Sequence, residues 1–201
     1  AHYVFKSSIT GKPIERATIA EFEQFLKQEY PGLDLEQKLD EANNKIDRFQ
    51  IYEMLLLPLE NVKQSPRYHP EGDALYHSLQ VFDLASRELP YDEEFLLAAL
   101  LHDVGKAIDP ADHVRAGLEA LDGYITDRTA WLIEHHMDAH AYRDGTLGQR
   151  KRKRLEAEED FETLMLLAQC DRAGREPGVE APELDEALQY LRELAQDGET
   201  W

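Results

Sequence analysis

The sequence predicts an all-α protein, and three observations carry that prediction. Apolar residues recur at three- and four-residue steps in one segment after another, the spacing of a single helix face. Capping residues and Pro or Gly punctuation mark the ends of several of these segments. No alternating strand pattern of useful length follows residue 15, and no repeat or low-complexity tract is evident.

The chain opens with Tyr3-Val-Phe-Lys-Ser-Ser-Ile-Thr-Gly-Lys-Pro-Ile14, whose β-branched and aromatic residues around a Thr-Gly turn predict a short hairpin or arm. Thr18-Ile-Ala-Glu21 has the form of a capping box, and Phe22, Phe25 and Leu26 supply the apolar face of a helix that stops before Pro31-Gly32. A second helical pattern runs from about Leu35 to Leu57 through Leu39, Ala42, Ile46, Phe49 and Glu53. Pro58 and Pro66 then punctuate the chain. Residues 72–88 carry Leu75, Leu79, Phe82 and Ala85 at helical steps, with His77 in the first turns and Asp73 as the expected cap. Residues 92–101 form an apolar helix that leads into His102-Asp103, and Gly105 is expected to close it as a C-terminal cap. Further helices are expected over 112–121, 127–137, 158–170 and 183–196. Arg150-Lys-Arg-Lys-Arg154, followed by Glu156-Ala-Glu-Glu-Asp160, reads as a solvated loop entering a helix, because the acidic run cancels the basic one.

Composition narrows the function. The 201 residues suffice for one principal core, and 42% hydrophobic residues place the chain in the globular range. A net charge of −19, from 41 acidic and 22 basic residues, opposes binding along a nucleic-acid backbone. A nucleotide-sized anion is still admissible, because local charge at a metal overrides the global field. No apolar run is long enough to span a membrane and no leader-like segment opens the chain, so the expected location is cytoplasmic. Cys170 has no partner for an internal disulfide and sits in an apolar run, where a small buried thiol is expected. Trp131 and Tyr124 are expected in the core.

The chemistry concentrates in His77, His102-Asp103-Val-Gly-Lys106 and Asp171, each near the end of an apolar stretch. Divalent metals take neutral imidazoles and ionised carboxylates, and a helical bundle can deliver both from several helices. An Asp beside an apolar run is costly to bury without a cationic partner. A solvent-facing side chain would explain any one of the four. It does not explain the set together with Gly105-Lys106.

His…His-Asp…Asp in this arrangement resembles the HD-domain superfamily of metal-dependent phosphohydrolases over about residues 67–175. The resemblance implies an HD helical bundle over 67–201, preceded by an arm and accessory helices over 1–66. It implies metal ligation by His77, His102, Asp103 and Asp171. It also implies a second ion held by His113 and one or both of His135 and His136, adjacent positions that face about 100° apart on a helix. Asp103 would orient a metal-activated water, and Lys106 would neutralise substrate phosphate. Arg115, Arg172 and Arg175 are candidate phosphate clamps. His140 shares a face with His136 only if the helix continues past Met137, and it is left out of the set. Mixed His and carboxylate donors suit one or two ions of Mn, Fe, Co, Ni or Zn, and Mg less well.

A narrower resemblance lies in His69-Pro-Glu-Gly-Asp73, which is similar to the stretch before the first metal histidine in the HD domain of bacterial tRNA nucleotidyltransferases. No glycine-rich turn followed by a paired-Asp strand is seen, so polymerising activity is not implied. The expected substrate is a small, nucleotide-like phosphomonoester or phosphodiester. The alternatives are a metal-retaining regulatory or interaction module without turnover, and an RNA-end phosphodiesterase.

Overall fold

In a computed structural model the described residues are 47–64, 70 and 72–198. The expected hairpin, the Thr18 helix and the first part of the Leu35–Leu57 helix lie outside them, as do His69 and Glu71. Among the described residues there are eight α-helices, two 3-10 turns and no strand, as an all-α fold requires.

Helix α1 (Arg48–Leu56) starts at Asp47, whose carboxylate accepts from Phe49 N at 3.1 Å, and it buries Phe49, Tyr52 and Leu56 along one face. Pro58 lacks the N–H that would continue it, and the chain tightens into a 3-10 turn over Leu57–Asn61. These elements precede the expected domain boundary at 66, yet they belong to the same unit, 47–201, as the rest of the helices.

Among the described residues an isolated bridge pairs Lys63 with Asp73. Gly72 there has φ +125°, a conformation other residues rarely adopt, which explains the glycine before the cap. Asp73 accepts from Tyr76 N at 2.8 Å and starts helix α2 (Ala74–Glu88), as the sequence predicted.

Helix α3 (Glu93–Leu101) is capped by Asp92 and buries every residue from Phe95 to Leu101. A helix apolar on all sides belongs in the middle of a fold. Each of its leucines contributes roughly 1.5–3 kcal/mol by burial, so the position of the following His102 is firmly fixed.

A 3-10 turn (Val104–Ala107) then leads to α4 (His113–Leu121). Helix α5 (Asp127–Arg143), α6 (Gln149–Leu155), α7 (Phe161–Ala173) and α8 (Leu184–Gly198) complete the order. Helices α2, α3, α7 and α5 form a four-sided bundle, each packed on its two neighbours, with α3 and α7 also touching across the middle. Helix α8 packs on α1, α2 and α3.

Three expectations are corrected. Gly105 does not cap α3. That helix ends at Leu101, and Gly105 lacks the positive φ of a left-handed cap. It is small for a steric reason: a Cβ there would lie 1.8 Å from His113 O and 2.6 Å from Gly117 N. The glycine lets the turn after His102-Asp103 lie directly against the start of α4.

The helix expected to end at Met137 continues to Arg143. The basic run is helical rather than a loop. Arg152 pairs with Glu156 at 3.0 Å and lies over the Tyr142 ring, while Lys151 reaches Asp138 at 2.7 Å. The i,i+4 pair and the contacts to α5 offset the repulsion of five adjacent cations. Cys170 is buried, and burial first of all pushes its thiol up to about 11, as an inert core thiol requires. Trp131 and Tyr124 are partly buried and pack against the core.

Candidate metal centre

The bundle brings its polar residues together at one place. His77 comes from α2, His102 from the end of α3, Asp103 from the turn, His113 from α4, His136 from α5 and Asp171 from α7. All are buried except His113, which is partly so. They fall into two groups, His77–His102–Asp171 and Asp103–His113–His136. Within each group the ligand atoms lie within 4.8 Å of one another. Asp103 stands between them: Oδ2 is 3.4 Å from His102 Nε2 and 3.8 Å from His77 Nε2, and Oδ1 is 3.6 Å from His113 Nε2. Asp171 Oδ1 is 3.1 Å from His77 Nε2.

The backbone fixes which nitrogen each imidazole presents. Nδ1 of His77 meets Gly174 O at 2.8 Å, that of His102 meets Ala99 O at 3.0 Å, and that of His136 meets Ile133 O at 2.7 Å. A carbonyl can only accept, so each Nδ1 carries the hydrogen and each Nε2 is aimed inward. Gly174 makes the first of these contacts possible, because a Cβ there would lie 2.8 Å from Val81 Cγ2 and hold α7 off α2.

The donor set fits a cation. His102 Nε2 is buried without a hydrogen-bond partner. His136 Nε2 and His113 Nε2 face each other at 3.4 Å. Neutral imidazole lone pairs facing one another and facing carboxylates repel unless positive charge lies between them.

Electrostatics agree. Burial would raise the Asp103 carboxyl, but positive charge facing it, on His102 and His77 when these are protonated and on Lys106, outweighs burial and holds it well below the usual range. Asp171 is likewise held low, chiefly because the hydrogen bond from His140 outweighs burial. Burial, reinforced by His102, lowers His136 to about 4, and burial also lowers His113. The carboxylates are therefore ionised and His136 neutral at pH 7, the forms a metal requires.

A cavity of about 610 Å³ opens onto the cluster. Lys106 and Arg175 lie in its wall and also engage the acidic ligands. Lys106 Nζ donates to Asp103 Oδ2 at 2.6 Å and to Gln64 Oε1 at 2.7 Å. Arg175 donates to Asp171 Oδ1 at 2.9 Å. Arg172 stands exposed at the rim, 3.3 Å from Asp144.

Two expected site residues are not brought here. Arg115 is exposed and spent on its own helix, with Asp112 at 2.6 Å and Glu119 at 2.8 Å. His135 turns away from the cluster, bonding Asp138 at 3.0 Å and lying against the Trp131 ring. Its neighbour His136 takes the inner face, as a rotation of about 100° between successive residues dictates.

The sequence reading missed three residues. His140 hydrogen-bonds Asp171 Oδ2, and its signal was the i,i+4 spacing from His136. Met137 and Asp144 line the cavity further out.

Residues 74–175, half of the chain, match the HD domain. The chain belongs to the HD-domain family. Membership of this superfamily of metal-dependent phosphohydrolases agrees with the helical bundle and with a site able to hold divalent metal. The narrower likeness to the HD domain of tRNA nucleotidyltransferases is supported as well. The chain is 48% identical over 86 residues to a multifunctional CCA protein of Thioalkalivibrio sulfidiphilus, covering 43% of this chain and 20% of that protein. It is 45% identical over 71 residues to the one from Methylococcus capsulatus, covering 32% and 16%. A longer match, 27% identical over 162 residues, joins it to the Acinetobacter baumannii protein, covering 68% and 39%. The HD-domain chain thus spans well under half the length of these relatives. No helix among its described residues is long and apolar enough to cross a membrane.

Proposed function

We propose that the chain is a metal-dependent phosphohydrolase that cleaves a phosphomonoester or phosphodiester of a small, nucleotide-like molecule. The observation that carries this reading is a pair of buried His/carboxylate groups opening onto a cavity of about 610 Å³ with a partly cationic wall. That size is in the range of small-molecule sites.

On this reading His77, His102 and Asp171 hold one ion, and Asp103, His113 and His136 hold a second. Divalent ions there would supply Lewis-acid polarisation of the phosphoryl group and lower the pKa of water to about 7. The protein's own groups do the rest. Lys106 and Arg175 offer N–H donors to the phosphate, matching its charge as it enters. Asp103 Oδ1, the oxygen that Lys106 does not engage, accepts from the attacking water and sets its line of approach. His140 holds Asp171 in orientation from the cavity side. The ions are transition metals such as Mn, Fe, Co, Ni or Zn, and the setting is cytoplasmic.

The test is a panel of nucleoside mono- and diphosphates and phosphodiesters, run on protein reconstituted with Mn, Co, Ni or Zn. Release of phosphate or nucleoside that a chelator stops is the expected result. A metal-replete protein inactive across the panel contradicts it. Metal retained stoichiometrically with no turnover of any probe would instead favour a module that keeps its metal for structure.

A second reading places the phosphoester on an RNA end, and the likeness to multifunctional CCA proteins favours it. The net charge of −19 opposes it. RNA affinity titrated at several salt concentrations separates the two.

A further inference from the structure

Helix α5 does not stop at the metal cluster. Beyond His136 its cavity-facing positions are Met137, His140 and, at the C-terminal cap, Asp144, steps of three and four residues along one face. Helix α7 runs beside it, with Asp171 at the metal end and Arg172 at the rim. The outer half of the cavity therefore differs in kind from the inner half. The inner half holds ligands and the cations of Lys106 and Arg175. The outer half offers an apolar thioether, with Met137 49% exposed, and one carboxylate–guanidinium pair.

That pair is loosely made. Arg172 Nη1 lies 3.3 Å from Asp144 Oδ1, and both side chains are more than half exposed, 61% and 57%. An exposed pair at this distance contributes little to stability. It leaves Asp144 with acceptor capacity and Arg172 with donors pointed at the same opening.

The geometry points to a subsite for the organic half of the substrate: Asp144 accepts a hydrogen bond from a ribose hydroxyl, Arg172 donates to the sugar, and Met137 underlies the base. This inference rests on the phosphohydrolase reading and names the substrate as a ribonucleoside phosphate. A phosphate group alone would fill only a small part of about 610 Å³, so the group carrying it must occupy the remainder. A thioether makes favourable contacts with a flat ring, which suits Met137 to a nucleobase. A carboxylate built to receive a hydroxyl discriminates against an analogue lacking it, because its acceptor is then left unmatched.

The experiment compares Mn-loaded wild type, Asp144→Asn and Met137→Ala on three probes: a ribonucleoside monophosphate, its 2′-deoxy counterpart and p-nitrophenyl phosphate. The wild type is expected to favour the ribonucleotide over the deoxynucleotide by about tenfold in kcat/KM, the worth of one good hydrogen bond. Asp144→Asn, whose neutral amide oxygen accepts more weakly than the carboxylate, should lower that ratio severalfold. Met137→Ala should lower the ratio of nucleotide to p-nitrophenyl phosphate turnover severalfold. Ratios that stay at the wild-type value in both variants overturn the subsite while leaving the hydrolase reading intact. If wild type turns over none of these monoesters, the monoesterase form of the hydrolase reading fails. Equilibrium binding of the same two nucleotides to Mn-loaded protein then decides the subsite. A ribose preference that weakens in Asp144→Asn supports it, and equal affinities of wild type for the two nucleotides overturn it. Thermal melts of both variants, expected to match wild type because the residues are exposed, exclude misfolding as the cause.

Discussion

Two clusters in this molecule gather carboxylates around nitrogen, and they close in opposite ways. At the surface of the bundle, Arg128 on α5 binds Asp92 at 2.7 and 3.0 Å, Asp160 at 2.7 Å and Glu94 at 3.2 Å. Thr126 adds a hydrogen bond to the second oxygen of Glu94 at 2.6 Å. Burial raises the Asp92 carboxyl, but the Arg128 hydrogen bonds outweigh it and leave the pKa lowered. The donors and acceptors meet one another, and nothing further is required.

The interior cluster is built from similar charges with a different closure. Its imidazoles spend Nδ1 on backbone carbonyls and aim Nε2 at carboxylate oxygens and at one another. A structural ion-pair cluster is complete as it stands. The interior cluster keeps donor atoms that could hold cations, and that difference separates a candidate binding site from a strut.

The most drastic way to break the comparison is to remove the carboxylate that stands between the two metal groups. Asp103→Ala should abolish metal retention at one group, weaken it at the other, and lower hydrolysis by more than about 100-fold. Changes in residues that merely orient ligands already cost about 10–100-fold. Metal content and kcat/KM check it.

Next in size is Gly105→Ala. A Cβ 1.8 Å from His113 O forces the HD turn away from α4, which should cost about 1–3 kcal/mol or more in urea unfolding and displace His113 from the site.

The interior cluster should also respond to acid in a way the Arg128 cluster does not. His136 has a folded pKa of about 4 against an ordinary 6.5. Between these values the unfolded chain takes up a proton that the folded chain refuses. Stability from this group is therefore whole above pH 6.5 and is lost as pH falls toward 4. The loss amounts to at most about 3 kcal/mol in metal-free protein. Urea unfolding at pH 7.5 and pH 5 should show it, and His136→Asn should flatten it.

Arg128→Met, by contrast, strands three carboxylates. It should destabilise the fold by about 1–3 kcal/mol while leaving metal content as in wild type. The smallest effect belongs to His135→Asn. Its ring bonds Asp138 outside the cluster, so metal content should match wild type, whereas His136→Asn loses an ion.

Much of this arrangement was legible in the residues, for identifiable reasons. The HD pair follows an apolar helix, Asp171 ends an apolar run and His77 lies in the first turns of an amphipathic helix, where burial makes their polarity conspicuous. Asp73 as a cap follows from local chemistry. What escaped the sequence depends on contacts between distant elements. Gly105 looks like a helix terminator until the approach of α4 shows what its missing Cβ makes room for. His140 falls outside the expected set because the sequence alone does not show that the helix continues past Met137. The helix persists there because Ala139 packs into the core and the far end packs beside α7. Arg115 lay near a ligand in sequence, but near neighbours of opposite charge claim it first.

The central claim is that the two buried groups hold one ion each. Elemental analysis of metal per chain, on wild type and Asp103→Ala, tests it most directly. The account predicts close to two ions in wild type and a sharp fall in the variant. Wild-type protein that retains no metal after reconstitution with Mn, Co, Ni or Zn would contradict it.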